Sequence, residues 1–188
     1  MSGIRGLRGA LVLTMVVAAS APAARATGPG ALTSLVAAAA ERLQTADPVA
    51  ASKWLTKKNI EDPERVARVL TAVTAQAVTS GVDEAYVRQV FSDQIAATEA
   101  VEHSRFAQWK LDPAAAPADA PDLSASRADI DALNHQMVAE IAAQWQLLRS
   151  PACADARDEA VTVVAGTRQL DATYRRALGF ATGSYCQD

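Results

Sequence analysis

Three features of the 188-residue chain predict an all-α fold built as a single helical domain. Alanine and valine are abundant while aromatic residues make up only 5%, a mixture suited to packed helices more than to sheets rich in β-branched and aromatic side chains. No alternating apolar and polar run is long enough to form a half-buried strand. A capping side chain stands directly before proline at Asp47-Pro48, Asp62-Pro63 and Ser150-Pro151, and proline is tolerated in the first turn of a helix and disfavoured further in. Half the residues are hydrophobic and 21% charged, with 8 prolines and 9 glycines, which excludes a disordered or collagen-like chain. The 18 basic and 21 acidic residues give a formal charge of −3, which argues against a broad basic surface for nucleic acid; a cationic site has to be local.

The first element, residues 1–26, has the three-part layout of a secretory signal peptide. Arg5 and Arg8 precede an apolar run over residues 10–19, and small residues then lead to Ala24-Arg25-Ala26. That run falls well short of the roughly 20 residues needed to span a bilayer, which argues against an uncleaved anchor. Cleavage near Ala26 is expected to leave a domain of residues 27–188 that is secreted or periplasmic, with no membrane partner. Losing Arg5, Arg8 and Arg25 makes the exported chain more acidic still.

Helices are expected near 31–46, 48–58, 63–79, 84–111, 123–149 and 152–182. Asp47, Asp62 and Ser150 mark three starts, and Gly81-Val82-Asp83 ends one helix and caps the next. Residues 112–121, with three prolines and five alanines, read as an extended loop. In 84–111 a core stripe of Val87, Phe91, Ile95, Val101 and Trp109 shares its arc with Gln94, Thr98, Glu102 and Arg105, while Gln89, Ser92, Asp93 and His103 lie opposite. In 123–149 the stripe of Leu123, Ile130, Met137, Ile141, Trp145 and Leu148 also contains Arg127 and Asn134. Export to an oxidising compartment favours a disulfide between Cys153 and Cys186 over two reduced thiols. Closing that loop contributes roughly 3–4 kcal/mol in the chain-entropy picture.

Polar groups inside apolar stripes need partners or a ligand, because an unpaired buried charge is costly. Glu102 and Arg105, three residues apart on one helix, can satisfy each other. Arg127 has no obvious partner on its own helix. Arg42 borders the stripe of Leu32, Leu35, Ala39 and Leu43, and Arg65 borders that of Val66, Val69 and Val73. Taken singly, each reads as a surface arginine whose stem lies along the apolar face. Together they suggest a pocket for a small anion, although spacing alone does not make them converge.

The absent motifs narrow the chemistry. There is no Gly-rich phosphate loop, no His-Glu-x-x-His, no paired Glu-x-x-His of a di-iron bundle and no Gly-x-Ser-x-Gly elbow. The two histidines, His103 and His135, fall on polar faces, which makes them weak candidates for a general base. No metal site is expected. An enzyme of this composition has to work by electrostatics and positioning, which suits rearrangement of a single substrate.

Several segments together resemble a known family. They are Ala40-Glu41-Arg42-Leu43, Ala46-Asp47-Pro48-Val49-Ala50, Lys53-Trp54, Ile60-Glu61-Asp62, Arg65-Val66, Val90-Phe91, Asp93-Gln94-Ile95, Ala97-Thr98-Glu99-Ala100, Ser104-Arg105-Phe106, Trp109-Lys110-Leu111, Asp122-Leu123-Ser124-Ala125-Ser126-Arg127 and Ser184-Tyr185-Cys186. Over essentially the whole exported chain they resemble the secreted chorismate mutases of the AroQ type, gamma subclass, in their actinobacterial form. The resemblance implies an all-helical homodimer with a full active site in each protomer, no cofactor, and conversion of chorismate to prephenate. It also implies that Arg42, Arg65 and Arg127 hold the substrate carboxylates, a task suited to planar guanidinium groups. By the same resemblance Lys53 faces the ether oxygen and Glu102, if protonated, donates to it. Thr98 then meets a carboxylate and Asp62 positions the substrate hydroxyl.

Two positions depart from the family pattern. Val66 stands where cytosolic relatives carry an acid, and Val69 where secreted relatives carry glutamine. Recognition of the hydroxyl then falls to Asp62 or to backbone groups, and one polar contact is removed. The competing reading is a secreted helical binding protein that keeps the fold without catalysis and uses the acidic surface and the 112–121 loop as its contact region.

Overall fold

The computed structural model describes residues 30–187, which form eight α-helices and one 3-10 turn, with no strand among the described residues. The segment 1–26, expected to be a signal peptide, lies outside the described residues. The helices are α1 (Thr33–Gln44), α2 (Ala46–Thr56), α3 (Pro63–Thr79), α4 (Glu84–Leu111), α5 (Leu123–Ala143), α6 (Trp145–Leu148, a single turn), α7 (Cys153–Thr167) and α8 (Ala172–Ala181). The 3-10 turn spans Pro113–Ala115.

The central element is α1, where Leu35, Val36, Ala39, Ala40 and Leu43 are completely buried. It packs against α4, α5, α7 and α8, while the long α4 also carries α2 and α3 on its flank. At about 1.5 Å per residue, 28 residues make α4 roughly 42 Å long, enough to organise the whole molecule. Small alanines along α1 let these neighbours approach closely, and the large side chains of Phe91, Met137, Ile141, Leu148 and Tyr185 fill the space between them. A second, smaller core joins Ala50, Ala51 and Trp109 with Trp54 and Phe106; Ala116 and Ala120 of the loop after α4 rest on it. Trp54 meets Phe106 and Trp109 edge to face at 5.2 and 5.6 Å.

Aspartate caps four of the eight α-helices. The carboxylates of Asp62, Asp83, Asp122 and Asp171 each accept a hydrogen bond from a backbone N–H in the first turn of α3, α4, α5 and α8. The expected caps at Asp47 and Ser150 are not made. Helix α2 begins two residues before the expected start at 48, at Ala46, because Thr45 stays helical and lets α1 run into α2 with a single intervening residue. The Thr45 hydroxyl donates to the Arg42 carbonyl, and Asp47 is drawn away to Arg105. Ser150 donates to the Leu147 carbonyl and α7 starts at Cys153 without a side-chain cap.

Two of the six expected segments are divided. The 123–149 segment breaks at Gln144, which leaves helical geometry at φ −104° and ψ 11°. The 152–182 segment breaks after Thr167, where Gln169 adopts φ +51° and Leu170 N–H bonds back to the Ala165 carbonyl. The same reversal ends α2 at Lys57 (φ +56°) and α3 at Gly81 (φ +70°). Cys153 and Cys186 are disulfide-bonded, with Cα atoms 5.6 Å apart, and pin the C-terminal segment to the start of α7.

Candidate active site

One cleft, between α1, α2, α3, α4 and α5, is lined by all seven of the residues singled out above: Arg42, Lys53, Asp62, Arg65, Thr98, Glu102 and Arg127. Its apolar walls come from Val49, Val66, Val69, Ile95, Leu123 and Ile130. The seven polar side chains reach it from helix ends and from the middle of α4. Arg42 and Lys53 occupy the last turns of α1 and α2, where the carbonyl ends of the helix dipoles favour a cation. Arg65 sits in the first turn of α3, where the dipole opposes a cation, and Arg127 lies just beyond the first turn of α5. Acids offset this: Arg65 donates to Asp131 at 2.6 Å, and Arg127 to Asp62 at 3.3 Å.

Lys53 is set by the way α2 ends. With Lys57 left-handed, the N–H of Lys58 returns to the Lys53 carbonyl, and the chain then runs on through Ile60 and Asp62, which both line the cleft. Lys53 Nζ donates to the Ile60 carbonyl and, at 2.8 Å, to Glu102 Oε2. Burial pushes the Glu102 carboxyl up to about 7, even though Lys53 beside it pulls the other way. Thr98, one turn before Glu102, donates to the Gln94 carbonyl at 2.8 Å and accepts from Arg42 Nη1 at 3.4 Å.

Arg42 is the most enclosed of the cations, only 4% exposed. Burial, and then the charge of Arg65, lower its guanidinium to about 10, which leaves it protonated at neutral pH. It is therefore no surface arginine, contrary to the expectation for a residue at a stripe's edge. Arg127, whose side chain is 43% exposed, sits at the rim instead of within the core stripe.

The family model for chorismate mutase type II matches residues 33–103. The secreted chorismate mutase of Mycolicibacterium smegmatis is 52% identical over 177 residues, 94% of this chain and 98% of that protein. The chain belongs to the chorismate mutase family. The secreted chorismate mutase of Mycobacterium tuberculosis is 49% identical, again across 94% of this chain and 89% of its own length. The crystal structure of chorismate mutase from Burkholderia thailandensis matches with a TM-score of 0.78 and 36% identity, over 82% of this chain and 98% of that one. As a chorismate mutase the protein is an isomerase.

The geometry of this mutase corrects one expected pairing. Glu102 and Arg105 do not satisfy each other: Glu102 turns into the cleft toward Lys53, and Arg105 reaches out to Asp47 at 2.6 Å and Asp171 at 3.7 Å. Several participants escaped sequence reasoning. Asp131 could have been found, since it lies one turn after Arg127. Asn134 was visible only as a polar interruption of a stripe; its oxygen accepts from Arg42 Nε at 2.7 Å. Glu99 also lines the cleft, its carboxyl raised by burial and by Glu61 nearby. The Ile60 carbonyl leaves no trace in the sequence, because a backbone group carries no residue signature. His103 and His135 are exposed, bonded to Glu61 and Gln76.

Proposed function

We propose that this cleft converts chorismate to prephenate by an intramolecular Claisen rearrangement, with Lys53 and Glu102 acting on the ether oxygen and Arg42, Arg65 and Arg127 gripping the two carboxylates. The observation that carries this reading is the 2.8 Å approach of Lys53 Nζ to the Glu102 carboxyl within an apolar-walled cleft bordered by three arginines. One carbon–oxygen bond breaks and one carbon–carbon bond forms inside a single molecule, so no cofactor has to supply electrons or a group. Negative charge grows on the ether oxygen as its bond lengthens, and donors aimed there stabilise the transition state more than the ground state.

Lysine has three N–H donors. Glu102 and the Ile60 carbonyl take two, which leaves the third for the ether oxygen. Glu102 can donate as well once protonated, and a carboxyl raised to about 7 holds its proton through much of the neutral range. Arrival of a dianionic substrate favours that protonated form further. Thr98, by releasing the Gln94 carbonyl, offers its hydrogen to the carboxylate held by Arg42. Asp62 orients the substrate hydroxyl, and because Val66 and Val69 are apolar, no other side chain at those positions helps. The walls favour the compact conformer in which the reacting carbons meet.

Export completes the reading: residues 1–26 act as a signal peptide cleaved near Ala26, and the domain 27–188 works outside the cytoplasm as a homodimer. The layout of that segment and the secreted relatives support export. The test is an ultraviolet assay of chorismate loss with prephenate identified by acid conversion to phenylpyruvate. Wild type should far exceed the uncatalysed background, and Lys53→Ala should lose at least about 100-fold in kcat. Background-level turnover by folded wild type, or full activity in Lys53→Ala, would overturn the proposal.

A further inference from the structure

We propose that Asn134 is a positioning residue that aims Arg42 without neutralising it, so that the buried guanidinium keeps its charge for the substrate. This rests on the reading of Arg42 as a carboxylate anchor and adds to it the residue that sets the anchor's strength.

The cations of the cleft are held in two different ways. Lys53, Arg65 and Arg127 each have a carboxylate partner, in Glu102, Asp131 and Asp62. Arg42, the most deeply buried of the four, has no such partner among the described residues; an amide and a hydroxyl hold it instead. Asn134 Oδ1 accepts from Nε at 2.7 Å across 92 residues of sequence, and Thr98 Oγ1 accepts from Nη1. Of the five guanidinium N–H donors, two are engaged and three remain, all on the Nη atoms. Asn134 is itself 5% exposed and does not line the cleft. It lies behind Arg42, on the groove between α3 and α5 that also contains Asp131 and Arg65. It therefore reaches the substrate only through Arg42.

Neutrality at position 134 matters because Arg42 is desolvated. A carboxylate 2.7 Å from Nε would form a buried ion pair and compete directly with the incoming carboxylate. An amide oxygen offers the same acceptor geometry with no net charge. Asp131, one turn earlier on α5, already supplies the carboxylate, and it goes to Arg65.

Asn134→Asp tests this, since it keeps the shape and the acceptor and adds only charge. Kinetics at pH 7.5 and calorimetric titration with prephenate should show KM and the prephenate Kd rising tenfold or more, with kcat within about threefold of wild type. Asn134→Ala, which removes the acceptor without adding charge, should raise KM by at least threefold. A KM and Kd unchanged in folded Asn134→Asp would overturn the proposal and leave Asn134 a packing residue. If Asn134→Asp does not fold, Asn134→Ala decides: a KM unchanged from wild type overturns the proposal. Wild-type protein that fails to rearrange chorismate would sink the functional reading instead, which keeps the two failures apart.

Discussion

Glu102 concentrates the chemistry of the site in one ionisable group. It is 3% exposed, and burial raises its carboxyl to about 7 against the pull of Lys53. The acid form donates and the carboxylate does not, so activity should be highest below pH 7 and fall as pH rises through it. Glu102→Gln donates at every pH and should flatten that profile while keeping substantial turnover; a variant as inactive as Glu102→Ala from pH 6 to 9 would rule out the donor role. The same group ties pH to stability. Folding raises its affinity for a proton, so the folded state binds more protons than the unfolded state between about pH 4.5 and 7, and this contribution to stability is present below that window and lost as pH rises through it. Denaturant titrations of wild type and Glu102→Gln should therefore converge at low pH and separate toward pH 7, with the wild type losing more. At this scale the residue types were legible and their partners were not. Glu102 and Arg105 look paired on a helical wheel, yet the wheel shows only one helix, and Asp47 and Lys53 come from another.

Helix ends explain where the predicted elements hold and where they split. Helices α3 and α4 match the expected spans 63–79 and 84–111 because Asp62-Pro63 and Gly81-Val82-Asp83 carry their signals in unambiguous residue types. Lys57 and Gln169 make the same left-handed reversal as Gly81 without being glycine, at a cost of about 1–2 kcal/mol each, and so gave no warning. Packing decides there: the turn at Gln169 brings α8 back against α4 and α1. The C-terminal segment is tied down after that turn. Tyr185 is fully buried, its carbonyl accepts from the Tyr86 hydroxyl at 2.8 Å, and Gln187 N–H donates to the Leu148 carbonyl at 3.0 Å. Replacing both Cys153 and Cys186 by serine should lower unfolding free energy by about 3–4 kcal/mol. Denaturant midpoints would register that loss, while kcat of the folded fraction at 25 °C should stay near wild type because neither cysteine lines the cleft.

Taken as a whole, the molecule gathers its cleft from five helices of one chain, with Arg42 and Arg127 separated by 85 positions in sequence. All seven side chains come from a single protomer, so activity per chain should not change as the proposed homodimer is diluted toward its dissociation range. Turnover measured across that range beside analytical ultracentrifugation checks this, and a proportional loss of activity with dimer would mean that the partner contributes to the site. The helical class, the capped starts of α3 and α4, the cysteine pairing and the residues that carry the family resemblance could all be read along the chain. Each depends on residue type and local spacing, which the linear order preserves. Which cation meets an acid and which meets an amide could not be read there. That choice depends on side chains brought together across tens of residues, and on the loss of water that makes an amide and a carboxylate behave so differently beside Arg42.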